Sequence, residues 1–137
     1  MKKSILVLVF LIGGLANAQS VSLEVKVTGF KNDTGKVRVG LYNSEFSFLK
    51  TIYKSQAVAI KNETANVIFS DLPKGEYAIS LYHDENNNGI LDKNMFGIPS
   101  EDYAASNQAK GVMGPPKYTD AKFTINTNSK INIILNN

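Results

Sequence analysis

From Val21 the chain alternates. Val21, Leu23, Val25 and Val27 are separated by Ser22, Glu24, Lys26 and Thr28, a period of two that predicts a strand with one buried face. Asn32-Asp33-Thr34-Gly35 is a turn cluster, after which Val37, Val39 and Leu41 alternate with Lys36, Arg38 and Gly40, as in a hairpin with a loop of several residues. The pattern lapses from Asn43 to Lys54, where Phe46, Phe48 and Leu49 are expected to cap one end of the core from a loop or short helical turn. Ala57 to Ile60 reads as a weak strand and Val67 to Phe69 as a better one. After the turn Asp71-Leu72-Pro73-Lys74-Gly75, Tyr77, Ile79 and Leu81 alternate with Ala78, Ser80 and Tyr82. Phe123 and Ile125, then Ile131, Ile133 and Leu135, close the chain as two strands around Asn126 to Ser129.

Between them, His83 to Thr119 is rich in Asn, Asp, Gly and Pro and keeps no period. A loop that long in a compact domain usually carries function or is held by something. No segment has a helical period and none repeats. About seven short strands predict an all-β fold, an antiparallel β-sandwich of Ig-like kind, with this long loop between the last-but-two and last-but-one strands.

The chain has 137 residues, a one-domain length. Lys2 and Lys3, an apolar run from Ile5 to Leu15 and Ala16-Asn17-Ala18 form the pattern of a secretory signal peptide over residues 1–18. The run is shorter than the roughly 20 residues that span a bilayer, so no membrane span is expected after cleavage. No Cys follows the cleavage site, which predicts no lipid anchor. Cleavage would leave residues 19–137 as a single domain, periplasmic or secreted, with 13 basic and 12 acidic side chains. That near-neutral balance, without a Lys/Arg cluster, argues against nucleic acid and anionic membranes as partners. No Cys means no disulfide, so packing must support the fold.

The chemistry is concentrated in Asp84-Glu85-Asn86-Asn87-Asn88-Gly89-Ile90-Leu91-Asp92. Side-chain oxygens fall at places one, three, five and nine, with Gly at six and a branched apolar residue at eight. A calcium loop needs this spacing because the chain winds round a hard cation that takes 6–8 oxygens at about 2.3–2.6 Å. Gly89 permits the bend, Ile90 offers its carbonyl, and Leu91 is expected to pack back on the core. Place twelve, where a helical calcium loop has a bidentate Glu, is Met95. Glu101 is the candidate replacement, with Asp102 behind it, if Gly97-Ile98-Pro99 turns the chain back. The expected ligands are therefore Asp84, Asn86, Asn88, Ile90, Asp92 and Glu101, holding a structural Ca2+ with an affinity of about 10⁻⁴–10⁻³ M. Magnesium suits the set less well, since it prefers few protein ligands and several waters. The competing reading is a solvated loop built on side-chain-to-backbone turns.

The leader, the first two strands, Leu72-Pro73-x-Gly75-x-Tyr77, His83-Asp84-x-Asn86-x-Asn88-Gly89-x-Leu91-Asp92, Phe96-Gly97-Ile98-Pro99-x-Glu101 and Ser106-Asn107 together resemble a bacterial family known as domain of unknown function 2141. The resemblance covers almost all of residues 19–137. It implies an exported β-sandwich of transthyretin-like or carboxypeptidase-regulatory type, and no activity. Ala104 stands where Gly is expected in that family. The loop is also similar to calcium loops of bacterial adhesin repeat domains, which implies ligands at Asp84, Asn86, Asn88 and Asp92.

Other constellations are thin. His83 is the single His, so a Ser-His-Asp site would have to use it, and zinc lacks ligands. Glu101 and Asp102 are a carboxylate pair with nothing to set them across a cleft. The six Tyr are spread along the chain, as packing residues are, rather than gathered as a sugar or peptide platform. Gly111-Val112-Met113-Gly114-Pro115-Pro116 reads as a rigid connector. Phe96, Val112 and Met113 either form an exposed patch or cover an open sheet edge. The leading expectation is an exported, non-enzymatic binding or accessory module of the bacterial envelope, its loop fixed by calcium and facing an unknown protein or glycan partner. The alternatives are an envelope hydrolase using carboxylates or His83, and a purely structural assembly subunit.

Overall fold

The computed structural model describes residues 19–135; the expected leader, residues 1–18, lies outside the described residues. Eight strands form two sheets: β1 (Val21–Thr28), β2 (Lys36–Tyr42), β3 (Lys54–Ala59), β4 (Thr64–Leu72), β5 (Gly75–Asp84), β6 (Tyr103–Ala105), β7 (Phe123–Ile125) and β8 (Ser129–Ile134). The three-stranded sheet runs β4-β1-β8 and the five-stranded sheet β3-β2-β5-β6, with β7 also on β5. Strand β5 is the spine: β7 pairs with its start, at Gly75 to Tyr77, and β6 further on, at Ser80 to Tyr82.

The alternation in sequence becomes the core. Val21, Leu23, Val25 and Val27 face Val37, Val39, Leu41, Ile79 and Leu81 across the sandwich, with Val67, Phe69, Ile125 and Ile133 completing it. Each such side chain removed from water contributes roughly 1.5–3 kcal/mol, which is how the fold stands without a disulfide.

Four expectations are corrected. The sandwich is not wholly antiparallel: β8 runs parallel to β1, from Leu23↔Ser129 to Thr28↔Ile134. Alternation fixes which face is buried and carries no information on strand direction. Strands β3, β4 and β5 are longer than their apolar runs, so His83 and Asp84 belong to a strand and not to the loop. The segment to Thr119 is not structureless, since β6, a 3-10 turn at Ser106–Gln108 and a single helical turn α1 (Tyr118–Ala121) interrupt it. Finally, of Phe46, Phe48 and Leu49 only Phe48 is buried, and it covers the outer face of the five-stranded sheet, edge-on to the buried Tyr42 and Tyr118 with Ala78, Ala105 and Ala121. Phe46 and Leu49 are exposed. No described helix is long and apolar enough to cross a membrane.

Candidate metal centre

Asp84 ends β5 on the outer face of the five-stranded sheet, cross-strand from Lys36 and two pairs along from Arg38 opposite Tyr82. Its carboxylate is fully buried and every contact to it is a donor: Asn88 N at 3.0 Å, Gly89 N at 2.9 Å and Arg38 Nε at 2.5 Å. Burial opposes its ionisation, but the Arg38 hydrogen bond, the two backbone N–H groups and the Arg38 charge outweigh that and hold the carboxyl below its ordinary range. Gly35 makes the site possible from behind, because a Cβ there would lie 2.0 Å from the Asp84 carbonyl oxygen.

Beyond Asp84 the chain winds by side-chain-to-backbone turns. Asn88 N donates to Asn86 Oδ1 at 3.2 Å, and Ile90 N to Asn88 Oδ1 at 3.0 Å. Gly89, at φ +86°, takes the left-handed step. The two amide groups then converge on Asp92: Asn86 Nδ2 at 2.6 Å and Asn88 Nδ2 at 3.0 and 3.1 Å.

The chain does turn back at Gly97-Ile98-Pro99. Asn94 Oδ1 accepts from Phe96 N and Ile98 N, Lys93 bridges Pro99, and Ser100 N donates to Asp92 O. Glu101 is thereby buried against the start and the end of the loop, with Oε1 accepting from Glu85 N at 3.2 Å and Oε2 from Asp92 N at 3.0 Å. Asp102 lies outside the ring and pairs with Lys31 at 3.0 Å.

Asp84, Asn86, Asn88, Asp92 and Glu101 thus stand in one hydrogen-bonded ring with the Ile90 backbone in it. Leu91 departs from expectation: it is half-buried and outside the core cluster, and Ile90 points its side chain to solvent. Among the described residues no three His, Asp or Glu side chains crowd together as a preformed metal site. The acidic groups are instead spaced by Asn amides. The donors are all oxygen, the kind a hard cation takes. Each Asn oxygen uses one lone pair on a backbone N–H and keeps the other.

Arg38 was not legible as part of this site, because only the β2–β5 register puts its guanidinium on Asp84. His83 faces the other way. It is fully buried, edge-on to Phe30 at 5.2 Å, with Nε2 2.7 Å from the Thr34 carbonyl oxygen and Nδ1 without a hydrogen-bond partner. Phe96, Val112 and Met113 cover no edge and are exposed. Gln108 does that work for the end of β8, its amide bonding both the N–H and the C=O of Ile134.

A family model described as an uncharacterized protein conserved in bacteria, DUF2141, matches residues 25–133, from the middle of β1 to the end of β8 and across the whole ring. No curated protein and no solved structure matches the chain. With that match spanning both sheets and the loop, the chain belongs to the bacterial DUF2141 family.

Proposed function

We propose that this protein is an exported, non-enzymatic binding or accessory module of the bacterial envelope, and that its Asp84–Glu101 segment holds one structural calcium ion. The observation that carries this reading is the ring itself, in which Glu101 returns through a tight hairpin to clamp a loop already lined by Asp84, Asn86, Asn88 and Asp92. Calcium would take oxygens from Asp84, Asn86, Asn88, Asp92 and Glu101 and the carbonyl of Ile90, displacing the amide groups that now satisfy Asp92. Arg38 offsets part of the charge of Asp84 and keeps the affinity modest.

The braced segment presents apolar side chains outward: Met95 is 91%, Phe96 81% and Ile98 59% exposed. Side chains of this kind held in water are a feature of recognition surfaces, which supports a protein or glycan partner on this loop. Export rests on the leader pattern of residues 1–18, and an exported form with Gln19 at its N-terminus is the expected product. The calcium site is tested by isothermal titration of chelator-treated protein with Ca2+ and Mg2+, alongside Asp92→Ala. Saturable heat with calcium that Asp92→Ala abolishes supports the site; heat that is unchanged in the variant refutes it.

A further inference from the structure

A second site lies on the outer face of the five-stranded sheet, between the Phe48 cluster and the Asp84 loop. The register aligns Ser55, Gly40 and Ser80 in one row across β3, β2 and β5, and Ala57, Arg38 and Tyr82 in the next. The first row is small throughout, so it forms a floor. Tyr42 and Ile52 rise on one side and Arg38 and Tyr82 on the other, with Gly89 closing the end, around a cleft of about 340 Å³. Gly40 lets the Tyr42 ring lie close against the floor, since a Cβ would come within 3.3 Å of it and the ring would have to give by a few tenths of an ångström. Tyr82 is fixed by donating to Gly89 O at 3.0 Å.

The polar groups of the cleft are specific. Arg38 is held by its Nε on Asp84, and among the described residues neither of its Nη groups has a protein acceptor. The hydroxyls of Ser55, Ser80 and Tyr42 also have no protein partner among the described residues. A guanidinium anchored at Nε presents a planar fork suited to a carboxylate. Hydroxyls beside tyrosine rings suit a hydroxylated ring with one apolar face. The volume falls at the low end of small-molecule sites, roughly 300–1,000 Å³.

We infer that this cleft binds a sugar acid, a carboxylate-bearing ligand of monosaccharide size, with the carboxylate on Arg38 and ring hydroxyls on Ser55 and Ser80. The site stands without the calcium ion, so the two readings fail separately. The test is a titration of the purified protein in chelator, followed by backbone amide NMR, with glucuronate, glucose and inorganic phosphate as probes. Glucuronate is expected to give saturable shifts at Gly40, Ser55, Ser80 and Tyr82 with a Kd of about 1 mM, and the other two to bind at least about ten-fold more weakly. Ser55→Leu, at an exposed position on the floor, is expected to weaken glucuronate at least about ten-fold with the unfolding midpoint unchanged. Arg38→Lys keeps a cation, loses the fork and is expected to weaken it several-fold. Absence of saturable shifts to about 50 mM, glucose binding as well as glucuronate, or binding indifferent to Ser55→Leu would each overturn the proposal. Phosphate binding as tightly as glucuronate would overturn it too, leaving an oxyanion site only.

Discussion

Arg38 donates from Nε to a carboxylate oxygen of Asp84 at 2.5 Å, and so ties the middle of β2 to the last residue of β5 just where the chain leaves the sheet. The Asp84 carboxylate is fully buried and holds two backbone N–H groups of the loop besides. One side chain therefore couples sheet, loop and guanidinium. Its replacement should be felt in all three.

Asp84→Asn keeps the shape and loses the charge. A charged hydrogen bond contributes about 1.5–3 kcal/mol, so the variant should lose about 2 kcal/mol in urea unfolding at neutral pH. The Asp84 carboxyl is held below its ordinary value when folded. Its contribution is therefore fully present above the unfolded value and disappears as pH falls through the folded one. The gap between wild type and variant should narrow below about pH 4. A gap that stays constant from neutral pH to pH 2 would contradict the assignment.

Three glycines with positive φ separate backbone strain from close packing. Gly97, at φ +75°, has open space where a Cβ would go, so Gly97→Ala should cost only the conformational penalty of about 1–2 kcal/mol. Gly89→Ala, at φ +86°, meets the Arg38 guanidinium at 3.5 Å in ordinary contact and should cost about the same. Gly35→Ala puts a Cβ 2.0 Å from the Asp84 carbonyl oxygen and should be far worse, forcing the β1–β2 loop and the end of β5 apart. Equal midpoints for Gly35→Ala and Gly97→Ala in thermal unfolding would show that the loops do not approach as described.

Phenylalanines at two sites should behave oppositely. Phe69, in the core, is fully buried, and Phe69→Ala should cost about 3–5 kcal/mol. Phe96, largely in water, should tolerate Phe96→Ser within about 0.5 kcal/mol. If Phe96→Ser destabilised the fold as Phe69→Ala does, the loop would be part of the core and not a presented surface.

Much of this was legible in the chain. Val21 to Val27 and Tyr77 to Leu81 alternate because each strand has one wet face, and their faces are as read. The loop ring was legible for another reason: Asp84, Asn86, Asn88 and Asp92 carry their turn chemistry locally, through bonds between residues two to six apart. What escaped was non-local. The parallel β1–β8 pairing depends on where the chain crosses between sheets, which side-chain periodicity does not encode. Arg38 alternates like any strand residue, and only its register opposite Tyr82 gives it Asp84. Phe46, Phe48 and Leu49 read as a cap on one end of the core because apolar residues in a loop need cover, yet the sheet offers two faces and Phe48 alone took cover, on the outer one.

A calcium ion in the Asp84–Glu101 ring would stabilise the folded protein by mass action. Thermal unfolding of the purified protein in excess chelator, then with millimolar Ca2+ and separately Mg2+, addresses this directly. At calcium ten times the dissociation constant the linkage is about 1.4 kcal/mol, a rise in midpoint of about 5 °C for a domain of this size. Calcium alone should produce it, and Asp92→Ala should remove it. No shift with calcium, or the same shift with both cations, would contradict the calcium site and leave the ring as a self-bonded turn.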